Sequence, residues 1–199
     1  EAVEEEGTDD DELSAFIERL EERFDDTGVI ETIEEMKPKH FVYCKNGWYG
    51  WTGEKWLPND RPLQKAIMYG LPAYWRSQLR PFTEKYPKPE GNYLSEPQEL
   101  LYGHNGIVNR LEGFIKNHLR SNHRIHGCMG RAQILLADDT IEFDLNPDLL
   151  GFMNGVYDIK EECFRKARFD DHVSWSTGWT FRPVMKGMKF MKDGQMHTV

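Results

Sequence analysis

The sequence predicts an α+β fold that is mainly helical, with small antiparallel β-hairpins and an acidic N-terminal tail. Three observations carry this. Apolar residues recur at helical spacing in several stretches, each long enough for a helix. Two Asn-Gly pairs, Asn46-Gly47 and Asn154-Gly155, lie between short apolar runs, the strongest short-range signal for a two-residue hairpin because Asn tolerates positive φ and Gly adopts it freely. The charge is uneven. Residues 1–36 hold 16 Asp and Glu against Arg19 and Arg23, a net of −14, so the total of −9 leaves +5 for the rest.

In chain order, residues 1–11 are acidic and of low complexity and are expected to be disordered. An Asp at about position 11 caps a helix from Glu12 to about Asp26, with Leu13, Phe16, Ile17, Leu20 and Phe24 on one face. Thr27-Gly28 ends it, and a short helix over 29–36 follows. Residues 1–36 therefore read as a partly helical linker or tail. From Lys39 the period changes. Phe41 to Cys44, Trp48 to Trp51 and Lys55 to Leu57 form a three-stranded meander rich in tryptophan. Its aromatic residues either close a small core or stack on unpaired bases.

Asp60 caps a helix to about Tyr69, with Leu63, Ile67 and Tyr69 inward, and a further helix over 73–80 ends at Pro81. The stretch 83–97, with three prolines and a glycine, reads as an exposed loop. Next comes the helical heart. Asn105 caps a helix whose stripe is Ile107, Val108, Leu111, Phe114, Ile115 and Leu119. Asn122 caps a second, with Ile125, Cys128, Met129, Ala132, Leu135 and Leu136 inward. After Asn146-Pro147-Asp148 the Asn154-Gly155 hairpin follows, then strand-like runs over 163–169 and 172–181 separated by Asp170-Asp171. Residues 182–199 form a C-terminal segment without a firm assignment.

Much chemistry is excluded. No Gly-x-x-x-x-Gly-Lys-Ser/Thr occurs, so no phosphate-cradling loop lies in this stretch. No apolar run is long enough to span a membrane, and the sequence begins without Met or signal peptide, as an excised piece of a longer chain would. Cys44, Cys128 and Cys163 are odd in number and far apart, which points to free thiols in a reducing, intracellular setting. His118, His123, His126 and Cys128 cluster at one helix junction and cannot all face inward, so no metal site is expected. His104 with His118 is the minor case for a metal-dependent nuclease. Asp144 and Asp148 flank a turn and read as structural.

The better lead is cationic. Between residues 101 and 131 stand Arg110, Lys116, Arg120, Arg124 and Arg131 against a single acid, Glu112. On the outer faces of two neighbouring helices these would contact phosphates without reading base sequence. The competing explanation is an ordinary solvated exterior. The acidic head, in turn, is either a solvated linker or a competitor of nucleic acid for this basic set.

Asn146-Pro147, a short apolar run, Asn154-Gly155-Val156-Tyr157-Asp158, then an arginine, Asp170-Asp171-His172 and Ser176-Thr177-Gly178-Trp179 resemble the tail of one domain family. Trp48-Tyr49-Gly50-Trp51 followed by Trp56 is similar to its entry. The family is the pre-helicase domain of vaccinia-type viral and phage or plasmid primase-helicases, which carry superfamily-three helicase cores. The resemblance covers roughly residues 39–181. It implies a collar-type domain over 37–181 that is non-catalytic by itself and helps ring assembly and DNA guidance. Residues 182–199 would lead toward a helicase core beyond them. ATP and Mg would belong to the full-length protein, with no cofactor in this stretch. The implied partners are DNA, the helicase and primase domains of the same chain, and further copies in a hexamer, in an infected host cell if the source is viral. Asn154 and Gly155 would fix the hairpin. The alternative of another class is a protein-interaction module that never touches DNA.

Overall fold

The computed structural model describes residues 6–45, 47–91, 93–183, 189–192 and 195–198. The chain forms two compact units, one from residues 1–50 and 58–141, the other from 51–57 and 142–199. The fold is α+β: helices dominate, with two small three-stranded antiparallel sheets. Among the described residues no helix is long and apolar enough to cross a membrane.

The first unit is helical. α1 (Glu6–Glu21) and α2 (Asp26–Met36) are followed by the hairpin β1 (Phe41–Cys44) and β2 (Gly47–Trp51). α3 (Arg61–Lys65) runs without a break through a wide π-turn, Ala66–Gly70, into α4 (Leu71–Lys85). Then come α5 (Glu96–Tyr102), α6 (Ile107–Phe114) with a second π-turn at Ile115–Leu119, and α7 (Asn122–Leu135). The expected stripes form its core. Leu13, Ile17 and Leu20 of α1 join Val29, Ile30 and Ile33 of α2, and Ile107, Leu111, Ile115 and Leu119 pack with Ile125, Cys128, Met129 and Ala132. Phe24 stacks on Phe114 at 4.9 Å and tilts against Trp75. The helices over 6–36, expected in a tail, are thus part of this core.

Several local expectations are corrected. α1 begins at Glu6, inside the stretch expected to be disordered; residues 1–5 lie outside the described ones. Thr27-Gly28 does not stop a helix. Asp25 caps α2, its side chain accepting from Gly28 N at 2.7 Å, and Gly28 is needed for close approach: a Cβ there would lie 2.4 Å from Arg23 Cα. Pro81 sits inside α4 rather than after it. Pro81 offers no N–H to the Ser77 carbonyl, and both residues lie on the exposed face of the helix. Tyr69 is exposed, because the π-turn inserts a residue and re-phases the helix. Leu135 is 42% exposed at the frayed end of α7. The helix caps also move by one: Gly106 and Ser121 precede α6 and α7, not Asn105 and Asn122, and Asp60 bonds Gln64 instead of a backbone N–H.

The second unit begins at Trp51, the last residue of β2, and includes β3 (Trp56–Leu57) of the tryptophan-rich meander. Trp56 is buried, donates from Nε1 to Phe169 O at 2.9 Å, and packs against Phe143 and Phe169. These meander tryptophans close a core, as the blander expectation had it. The second sheet has the order β4 (Leu149–Phe152), β5 (Gly155–Asp158), β6 (Cys163–Arg165). A third hairpin, β7 (Lys189–Lys192) with β8 (Gln195–Thr198), occupies the segment that the sequence left unassigned; its Asp193-Gly194 lies outside the described residues.

The Asn154-Gly155 hairpin exists, but one residue off the expected turn. Phe152 pairs with Gly155, so Met153 and Asn154 make the turn and Gly155 is the first residue of β5. Gly155 is needed for space: a Cβ would come within 2.4 Å of Arg165 O and 2.7 Å of Phe164 Cζ. The other pair behaves alike, with Gly47 opposite Cys44, although Asn46 lies outside the described residues. The run over 172–181 is no regular strand. It lies along β4 through two bonds, Thr177 N to Gly151 O at 2.9 Å and Met153 N to Trp179 O at 2.8 Å. Asn154 pins its end by donating to Phe181 O at 3.1 Å and accepting from Phe181 N at 2.8 Å, which sets the Phe181 ring on Phe164 at 4.3 Å. Arg165 grips Asp171 with two bonds of 2.7 and 2.8 Å.

Gly155→Ala should cost about 2 kcal/mol through overpacking, whereas Gly130→Ala, in the middle of α7 with open space at its Cβ position, should gain roughly 0.8 kcal/mol in helix propensity; urea denaturation of the two variants checks the opposite signs. Burial pushes the Asp171 carboxyl up, but the Arg165 bonds, the Arg168 backbone N–H and the charges of the two arginines together outweigh it and hold the group below its ordinary value. A depressed carboxylate contributes stability above its unfolded pKa of about 3.9 and loses it as pH falls through the folded value. The stability gap between the parent and Asp171→Asn should therefore be full at about pH 6 and shrink steadily below about pH 4.

Candidate nucleic-acid interface

The five cations singled out in the sequence all lie on the first unit, around the corner where α6 passes through its π-turn into α7. The π-turn sets this corner. Arg120 N–H reaches back to Ile115 O at 3.2 Å, a five-residue step. The wider turn keeps both Ile115 and Leu119 buried while Lys116 and Arg120 face solvent. Ser121 then breaks the helix, and Arg124 follows on the exposed side of the first turn of α7.

The structure separates the five. Arg110 is ion-paired with Glu21 of α1. Arg131 donates from Nε to Thr27 Oγ1 at 2.8 Å, which ties α7 to α2. Lys116, Arg120 and Arg124 are exposed and spaced four residues apart, and none is in an ion pair among the described residues. The single acid, Glu112, is taken by Arg76 through bonds of 2.7 and 2.8 Å; that pairing, with a smaller effect of Arg120, holds its carboxyl below the ordinary range.

Behind this corner sits a polar triad that the sequence did not reveal. Asp26 Oδ1, at the start of α2, faces His118 Nε2 at 2.7 Å and accepts from Cys128 Sγ at 3.2 Å. The His118 ring also stacks on Phe114 at 4.5 Å. The ligand-type atoms of Asp26, His118 and Cys128 lie within 4.8 Å of one another. They are the three groups here with the chemistry to hold a cation, and in this arrangement they satisfy one another by hydrogen bonds. Of the histidine–cysteine cluster read from the sequence, His118 and Cys128 turn inward, and His123 and His126 are exposed. Asp26 was missed because its partners are 92 and 102 residues away. His104 lies exposed in the turn between α5 and α6. Asp148 pairs with Lys160, and Asp144 bonds Ser174 and Trp175; Asn154 and Gly155 stand in the second unit, as described above.

Burial, and then the Asp26 carboxylate, push the Cys128 thiol up to about 12, so thiolate is scarce there at neutral pH. Cys44 is also buried and Cys163 is exposed. Titration of the native chain with an aromatic disulfide at about pH 8, near the ordinary thiol pKa, should label one thiol, Cys163, quickly. The other two should react only on unfolding, and rapid labelling of Cys128 would contradict the triad.

A family model described as "D5 N terminal like" matches residues 18–193 of the chain. No curated protein matches it.

Proposed function

The chain belongs to the D5 N-terminal-like family, the N-terminal domains of D5-type primase-helicases, and from that membership we propose that it acts as a non-catalytic accessory domain beside the helicase motor, guiding DNA and supporting ring assembly during viral-type replication. ATP and Mg belong to the motor in this reading. One observation supports the DNA-guiding role above the others: Lys116, Arg120 and Arg124 are exposed at one helix corner and form no ion pair among the described residues, while the neighbouring cations Arg110 and Arg131 are held by Glu21 and Thr27. Side chains of this kind position a phosphate backbone and leave base identity unread.

A protein-interaction role has its own support in the first unit. Leu135, the last residue of α7, and Leu136 just after it line, with Ile30 and Pro38, a shallow apolar groove of about 340 Å³, rimmed by Glu31, Glu34 and Glu35. Such a groove fits an amphipathic helix with basic flanks.

The test is fluorescence anisotropy with labelled DNA across a salt series. Arg120→Glu with Arg124→Glu should weaken binding evenly across sequences and flatten the salt dependence by about two units, roughly 0.9 per lost duplex phosphate contact. Arg110→Ala should leave the slope unchanged. Equal slopes for the parent and the double variant would remove DNA guidance from this corner, and light scattering of the chain alone would then decide for self-association.

A further inference from the structure

In the second unit, a cleft of about 490 Å³ opens beside β4 and β5, lined by Trp56, Phe152, Trp175, Lys55, Lys166 and Ser174, with Glu54 as the acid of its rim. Its floor is fixed, since Trp56 is anchored through Nε1 to Phe169 O. Its outer wall is held as firmly. Asp144, at a left-handed φ of 60°, accepts from Ser174 N at 2.8 Å, Trp175 N at 3.1 Å and Ser174 Oγ at 2.5 Å. Gly151 lets this wall close in, because a Cβ there would sit 2.1 Å from Trp175 O.

The backbone of this wall is immobilised, yet its large side chains are left in water. Trp175 is 61% exposed, and Trp179, four residues on, is 76% exposed. Folding normally buries indoles, whose apolar area is the largest of any side chain. An exposed indole on a hydrogen-bonded backbone, lining a cleft with two lysines, has the make-up of a stacking platform. The ring takes the π-face of a base, and the ammonium groups neutralise the phosphates on either side.

We propose that this cleft binds single-stranded DNA, with one base stacked on Trp175 and Lys55 and Lys166 against the flanking phosphates. The proposal rests on the nucleic-acid reading above and adds a contact in the other unit, of different chemistry: it requires unpaired bases, whereas the basic corner requires only phosphates.

Anisotropy with a labelled oligothymidylate and with a hairpin duplex, on the full chain, tests it. Trp175→Ala should weaken oligothymidylate binding roughly tenfold, the effect of losing one stacked base, and leave duplex binding unchanged. Trp175→Phe should restore most of the loss, which a purely structural role for the exposed indole would not predict. Lys55→Ala with Lys166→Ala should lower the salt slope for the single strand alone. If Trp175→Ala binds the single strand like the parent while the Arg120/Arg124 variant does not, the cleft is excluded and the basic corner stands. If the parent binds neither DNA, both readings fall. Thymidine monophosphate binding as tightly as the oligomer would overturn the strand assignment, since a cleft for free nucleotide gains nothing from flanking phosphates.

Discussion

The second unit depends on two polar side chains that hold a segment with no ladder of its own. Residues 173–181 touch β4 by only two backbone bonds, too few to order nine residues against the entropy of about 1–2 kcal/mol per residue that fixing them costs. Asp144 holds the front of the segment through three bonds and Asn154 holds its end through two. Between these anchors the aromatic cluster of Phe152, Tyr157, Phe164 and Phe181 forms. The order matters physically. Each polar anchor is exposed, so its bonds contribute modestly one by one, but together they fix the register on which the ring stacking depends.

The first unit has a related device on a different scale. Its helices pack through apolar stripes, which fix the faces that meet but leave sliding along the axes poorly defined. Asp26 removes that freedom. One carboxylate at the start of α2 meets His118 at the end of the α6 π-turn and Cys128 within α7, and Arg131 with Thr27 adds a second tie between α2 and α7.

What the sequence made legible follows from the range of each signal. The stripes of α1, α6 and α7 are local and periodic, and their inward residues are the buried ones with few exceptions. Phe16, Phe24, Val108 and Phe114 are only partly buried, Leu135 is exposed at a helix end, and Tyr69, expected inward after α3, is exposed at a π-turn, where the 3.6-residue period does not hold. Asn-Gly announced two hairpins but misplaced the turn by a residue, because glycine is required both by turns and by tight packing, and Gly155 and Gly28 answer to the second need. The family resemblance was legible from the order of short motifs, and the match over residues 18–193 bears it out. Asp26 and the Trp175 wall were not legible. Their meaning lies in partners 31 to 102 residues away, and nothing in an isolated tryptophan tells a buried indole from an exposed one.

The placement of charge also changes what the acidic N-terminal stretch can do. A segment of net −14 invites the idea of a mobile competitor for nucleic acid. In the folded chain, however, α1 and α2 cannot leave their places without exposing Leu13, Val29, Ile30 and Ile33, all fully buried. Several of their acids are also engaged at home: Arg23 takes Glu31 and Glu35, and Glu21 takes Arg110. These pairs are solvent-exposed and contribute little stability; their effect is to decide which cations remain available. Net charge is therefore a poor guide to the local charge of a surface here. The acids of α1 and α2 occupy Arg110 and Arg23 beside them and leave Lys116, Arg120 and Arg124 facing solvent at the corner, so a chain of net −9 carries an exposed cationic patch there.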